Sequence, residues 1–164
     1  MSRPARTATL TPAMRERFDA LRAQYPAEMS ASLVLPLLHC LQREHGWIHE
    51  DDAAMVADYL GLPAMQVLEA VRWYTMFKQA PQGRHVLKVC RNIACALRGA
   101  EDLITHLQRT LGVQAGQTTP DGRFTLETVE CLASCGTAPA MQVGDTYHER
   151  LTPAKVDSII GALR

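Results

Sequence analysis

At 164 residues the chain is long enough for one ordinary domain or two small ones. With 47% hydrophobic and 21% charged residues it is globular in composition, neither disordered nor fibrous. Its 17 basic and 17 acidic side chains cancel, which argues against a general nucleic-acid binder, and no stretch reaches the roughly 18 apolar residues of a membrane span.

In chain order, the opening residues 1–10 carry Arg3 and Arg6 with no apolar run behind them, so they read as a tail and not as a secretory signal. A cytosolic or matrix-facing location follows, where thiols stay reduced. Five cysteines in that setting point to metal or redox chemistry before disulfides. Thr11-Pro12 starts a helix on Met14, Phe18, Leu21 and Tyr25, closed by Pro26. A second helix runs from Ser32 to Glu44, with Pro36 near its first turn. Asp51 and Asp52 open a third, on Met55, Val56, Tyr59 and Leu60, stopped by Gly61. Pro63 starts a fourth, on Met65, Leu68, Val71 and Thr75. Four short helices predict a small bundle over residues 1–78.

After a linker at Gln79–Gly83 the pattern changes. His85–Cys90 reads as a strand, Ala100–Leu111 as an amphipathic helix ended by Gly112, and Phe124–Glu130 as a second strand. Ala140–Val143 and Thr146–His148 form a hairpin about Gly144-Asp145, and Thr152-Pro153 caps a last helix. The fold class is therefore α+β. A helical bundle precedes a β-α-β, β-β-α unit over residues 84–164, which is the thioredoxin-like plan.

Cys90 and Cys95 are separated by four residues, Cys131 and Cys135 by three. Each pair begins where a predicted strand ends, so the crossover helix brings both to one edge of the same sheet. Four thiolates there can hold an iron–sulfur cluster or a zinc ion. Structural zinc knuckles commonly take thiols two apart, and these wider pairs suit a larger binuclear core, with one pair on each iron. Neither pair is C-x-x-C, which argues against dithiol exchange. Lys88, Arg91 and Arg98 flank the first pair, either to moderate a negative centre or as ordinary solvated surface. Loop amides near Asn92–Ala94 and Gly136–Ala138 are available to the sulfurs, with small residues Ala133, Ser134 and Gly136 nearby.

At these residues the sequence resembles a known family, the small thioredoxin-like [2Fe–2S] subunit (NuoE) of NADH-quinone oxidoreductase, respiratory complex I. The matching pieces are Trp73-Tyr-Thr-Met-Phe77, the Cys90…Cys95 loop, Asp121-Gly-Arg-Phe-Thr-Leu126 and Glu130-Cys-Leu-Ala-Ser-Cys135-Gly-Thr-Ala-Pro139. Tyr147–Pro153, Gly46-Trp47-Ile48 and Tyr59-Leu-Gly-Leu-Pro63 also fit, so the likeness covers residues 20–164. It implies one [2Fe–2S] cluster on Cys90, Cys95, Cys131 and Cys135, and electron transfer as a subunit of NADH:quinone oxidoreductase. It also implies docking against a flavin- and NADH-binding (NuoF-like) partner, which carries the FMN and the NADH, in a complex peripheral to the inner membrane. Relatives of this subunit serve NAD-dependent formate dehydrogenases and hydrogenases, and the sequence does not separate these hosts. Departures from the family are Ser134, where glycine is usual, and Arg72-Trp73, where small residues and Phe are common.

The chain has no Gly-x-Gly-x-x-Gly after a strand, no phosphate-binding loop and no His-Glu-x-x-His, so the hydride chemistry is expected on the partner and no residue is read as catalytic. The competing class is a structural zinc module without redox activity. Cys40 reads as a core thiol and not a fifth ligand. His45 and His49 read as surface residues split by Gly46, Met76-Phe77 as bundle core, and Glu130 as facing solvent. His39, His85, His106 and His148 have no cluster of their own. A dimer of the chain in isolation is neither required nor excluded.

Overall fold

In the computed structural model, which describes residues 8–163, helix α1 (Pro12–Arg22) begins as its cap dictates. The Thr11 hydroxyl accepts from the Met14 amide at 3.2 Å, and Pro12 occupies the first turn. The tail reading of residues 1–7 falls outside the described residues. The chain leaves α1 three residues before Tyr25, earlier than the sequence pattern suggests, and passes through a kinked 3₁₀ segment, Ala27–Leu33, into α2 (Val34–His45). Pro36 sits in the first turn of α2, where its missing amide costs nothing. Gly46 ends α2 at φ 80°, a left-handed position that glycine fills without strain.

Helix α3 (Glu50–Leu60) is capped by His49 and not by the acidic pair. The His49 ring accepts from the Asp51 amide at 3.2 Å, and Asp52 Oδ2 accepts from the His49 amide at 2.7 Å. This reciprocal box corrects the surface reading of His49. His45 is also half-buried, its Nδ1 3.8 Å from the fully buried Asp52 carboxylate. Helix α4 (Ala64–Trp73) stops two residues short of Thr75 and turns a different face inward. Val67 and Val71 are buried while Met65 is exposed, because α4 packs mainly along α3. Phe77 is core, but its neighbour Met76 is 42% exposed. Phe18, Leu37, Leu38, Leu41, Val56 and Val67 are completely buried in one cluster, each contributing about 1.5–3 kcal/mol. Cys40 packs against its margin.

The chain divides into two compact units between Pro81 and Gln82. The second is a four-stranded sheet in the order β2-β1-β3-β4. Strand β1 (His85–Cys90) pairs in parallel with β2 (Phe124–Val129) from His85 opposite Phe124 to Cys90 opposite Val129. Between them run α5 (Ile93–Leu97) and the crossover helix α6 (Ala100–Leu111). Strands β3 (Met141–Val143) and β4 (Thr146–His148) form the hairpin, with β3 antiparallel to β1. Helix α7 (Pro153–Ala162) closes the unit, with the Thr152 hydroxyl accepting from the Lys155 amide at 3.3 Å. Leu87, Val89, Leu126 and Met141 meet Leu103 and Leu107 of α6 and Val156 of α7 in a second apolar core. The inward residues of β1 recur every second position, as a pleated strand demands. Among the described residues no helix is long and apolar enough to cross a membrane.

Candidate metal centre

Parallel pairing delivers the C-terminal ends of β1 and β2 to the same edge. Cys90 is the last residue of β1, and Cys131 follows β2 by two residues. The junction is stitched by backbone: the Arg91 amide donates to the Val129 carbonyl at 2.9 Å and the Cys90 amide to the Ala140 carbonyl at 3.1 Å. Cys95 lies within α5, a helix the sequence reading leaves as loop. Asn92 caps it, its Oδ1 accepting from the Ile93 amide at 2.9 Å. An Asn before an apolar run was the available signal. The second pair lies on the loop after β2, which makes one 3₁₀ turn, Cys135–Thr137, before the cis Ala138–Pro139 peptide and β3.

The four thiols share one neighbourhood, as two pairs. Burial and a hydrogen bond with the Cys90 thiol push Cys95 above an ordinary thiol, with added repulsion from Cys90 and Cys135. Cys135 is pushed up by its hydrogen bond with Cys131 and by the charges of Cys131 and Cys90. Cys90 Sγ donates to the Glu130 carbonyl at 3.1 Å. Ala133, held at φ 57°, turns its amide onto Cys131 Sγ at 3.3 Å. That donor is not one of the loop amides singled out by sequence. Among the described residues no three His, Cys, Asp or Glu side chains gather as a single metal ion would require.

The chemistry of this donor set fits a [2Fe–2S] cluster. Two dithiol pairs at adjacent strand ends match a core in which each iron takes one pair, and they match a mononuclear zinc site less well. The inner pair is lined by small side chains, Ala100, Ala138 and Ala140, leaving Cys90 and Cys95 only 3% and 2% exposed. The outer pair, Cys131 and Cys135, is exposed. Each thiol must lose its proton to bind iron, so the raised values of Cys95 and Cys135 make loading release protons.

Two charged contacts escape a linear reading. Glu130 does not simply face solvent, since Arg91 Nε and Nη2 donate to its Oε1 at 3.0 and 2.5 Å. That carboxylate already engages Arg91, so the guanidinium is not a free cation for the cluster. Glu149 accepts from the hydroxyls of Ser134 and Thr137, which, in that order, hold its carboxyl below the usual range. No local spacing links Glu149 to residues 12 and 15 positions earlier. The first unit contains an open cleft of about 590 Å³ beside Arg15, Asp51 and Tyr59, but it holds no thiol.

Comparison with known proteins meets this geometry. The model of the thioredoxin-like [2Fe–2S] ferredoxin family matches residues 18–164. The chain is 46% identical over 151 residues to a NuoE subunit of NADH-quinone oxidoreductase from Rhizobium meliloti (strain 1021), covering 92% of this chain and 89% of that protein. It is 38% identical over 143 residues to NADH-quinone oxidoreductase subunit 2 of Thermus thermophilus, covering 87% and 79%. Among solved structures, a chain of an NAD+-reducing [NiFe]-hydrogenase in the H2-reduced state superposes with a TM-score of 0.71 at 23% identity. That match covers 81% of this chain and 22% of the hydrogenase chain, and it is a likeness of fold. The chain belongs to the thioredoxin-like [2Fe–2S] ferredoxin family, alongside the NuoE subunits of NADH-quinone oxidoreductase.

Proposed function

We propose that this chain is the electron-transfer subunit of an NADH-quinone oxidoreductase, with Cys90, Cys95, Cys131 and Cys135 as ligands of one [2Fe–2S] cluster in the unit spanning residues 84–164. The observation that carries the reading is the meeting of two thiol pairs at the ends of neighbouring parallel strands. When bound, the cluster supplies a one-electron carrier. The protein's own residues fix the two pairs, bury one of them, and direct the Ala133 amide at a sulfur. The helical unit at residues 1–78 and the thiol-bearing unit together serve a flavin- and NADH-binding partner that carries out the hydride step, in a complex peripheral to the membrane.

The test is anaerobic purification of the full chain, followed by visible and EPR spectra before and after dithionite. A reducible binuclear signal is expected, and a colourless protein with one zinc per chain would refute the assignment. Cys131→Ala should abolish or remodel the signal; an unchanged spectrum removes Cys131 from the ligand set. Co-purification with a flavoprotein tests the partner, and an isolated chain that oxidises NADH without one would overturn that part.

A further inference from the structure

The two thiol pairs are held unequally. Cys90 ends a strand that is paired on both sides, and Cys95 is buried in α5. Cys131 and Cys135 are exposed on a loop whose regular structure is one short turn. Such a loop opens readily unless side chains tie it down.

A carboxylate supplies the tie. Glu149, one residue beyond β4, accepts on Oε1 from the Ser134 hydroxyl and, at 2.6 Å, from the Thr137 hydroxyl. The two hydroxyls lie 2.7 Å apart. With one proton on each, both can donate to an ionised carboxylate, and hydrogen bonds to a charged acceptor are the strong ones. The bracket has a firm back. Lys155 of α7 donates to the Glu149 carbonyl at 2.6 Å, and the Arg150 amide donates to the Thr137 carbonyl at 2.7 Å. Ser134 directly precedes Cys135, and Thr137 follows it by two residues.

We infer that Glu149 is a positioning residue for the outer thiol pair, acting through Ser134 and Thr137 to hold Cys131 and Cys135 at the spacing a [2Fe–2S] cluster requires. The inference rests on the four-cysteine reading above. Gln in place of Glu149 keeps an acceptor oxygen for both hydroxyls, whereas Ala removes it.

The experiment uses the full chain, reconstituted anaerobically with ferrous iron and sulfide. Wild type is compared with Glu149→Gln, Glu149→Ala and the double variant Ser134→Ala/Thr137→Val. The readouts are the EPR line shape of the dithionite-reduced protein and the rate at which EDTA bleaches the visible band. Loss of an outer-shell partner typically weakens metal binding by about 10–100-fold, so Glu149→Ala should bleach faster on that order, with an altered line shape. Glu149→Gln should stay near wild type, and the hydroxyl variant should reproduce Glu149→Ala. If circular dichroism finds Glu149→Ala unfolded, the hydroxyl variant decides the matter alone.

A folded Glu149→Ala with the wild-type line shape and bleaching rate overturns the inference, and so does a hydroxyl variant indistinguishable from wild type. Wild-type protein that takes up no binuclear cluster defeats the ligand assignment itself, and this inference with it.

Discussion

Arg91 and Glu130 flank the first and second thiol pairs directly, and their ion pair spans the gap between the two strand ends. Both side chains are more than half exposed, at 56% and 69%, so solvent screens most of the attraction. The contact should therefore guide the loops without anchoring the fold. Arg91→Ala and Glu130→Ala, combined in a double-mutant cycle, are expected to couple weakly in urea denaturation. That coupling should vanish in about 1 M salt, where the screening length is ~3 Å. A coupling that persists there would mark a pair better shielded than its exposure indicates. At this scale the sequence was an uneven guide. Cysteine spacing singled out four positions that the fold brings together, because chain separation and strand order constrain where a strand end can lie. Glu130, Glu149 and His49 were unreadable or misread, since each is defined by what it contacts. His49 contacts a helix that begins one residue later, and Glu149 a loop reached only by way of a hairpin.

At the level of elements, the strands and α6 were legible almost to the residue. Period-two and helical patterns are written locally and are reinforced by one-sided burial, as in Leu103 and Leu107 of α6. Helix α5 was missed because five residues burying a single side chain leave no periodic trace. The rotated face of α4 was misread because several apolar residues lie around that helix, and only its packing on α3 selects Val67 over Met65. One position in the sheet is tighter than its place before a strand suggests. A Cβ on Gly83 would lie 2.7 Å from the Phe124 carbonyl carbon and 3.0 Å from the Phe124 and Thr125 amide nitrogens. The Gly83 amide also donates to the Thr125 hydroxyl at 2.7 Å, which pins the approach. Because those neighbours are backbone, Gly83→Ala must part the start of β1 from β2, at a cost of about 1–3 kcal/mol. Urea unfolding followed by circular dichroism measures it; an unchanged midpoint would mean that the linker slides away freely.

Across the whole chain, the apolar clusters keep to their own units. One draws its residues from Met14 to Phe77, the others from Leu87 to Val156. The composition change after Phe77 made this division readable, because a helical bundle and a pleated sheet need different apolar rhythms.

The unequal burial of the thiol pairs bears on how the metal-free protein meets reagents from solution. A maleimide should label Cys131 and Cys135 ahead of Cys90 and Cys95 in a mass-spectrometric time course, since only the former are accessible. Equal labelling would mean that the alanine-lined side breathes as freely as the loop. Access to the sulfurs is thus one-sided, and whatever donates iron to the empty chain must approach from the flank of the second loop.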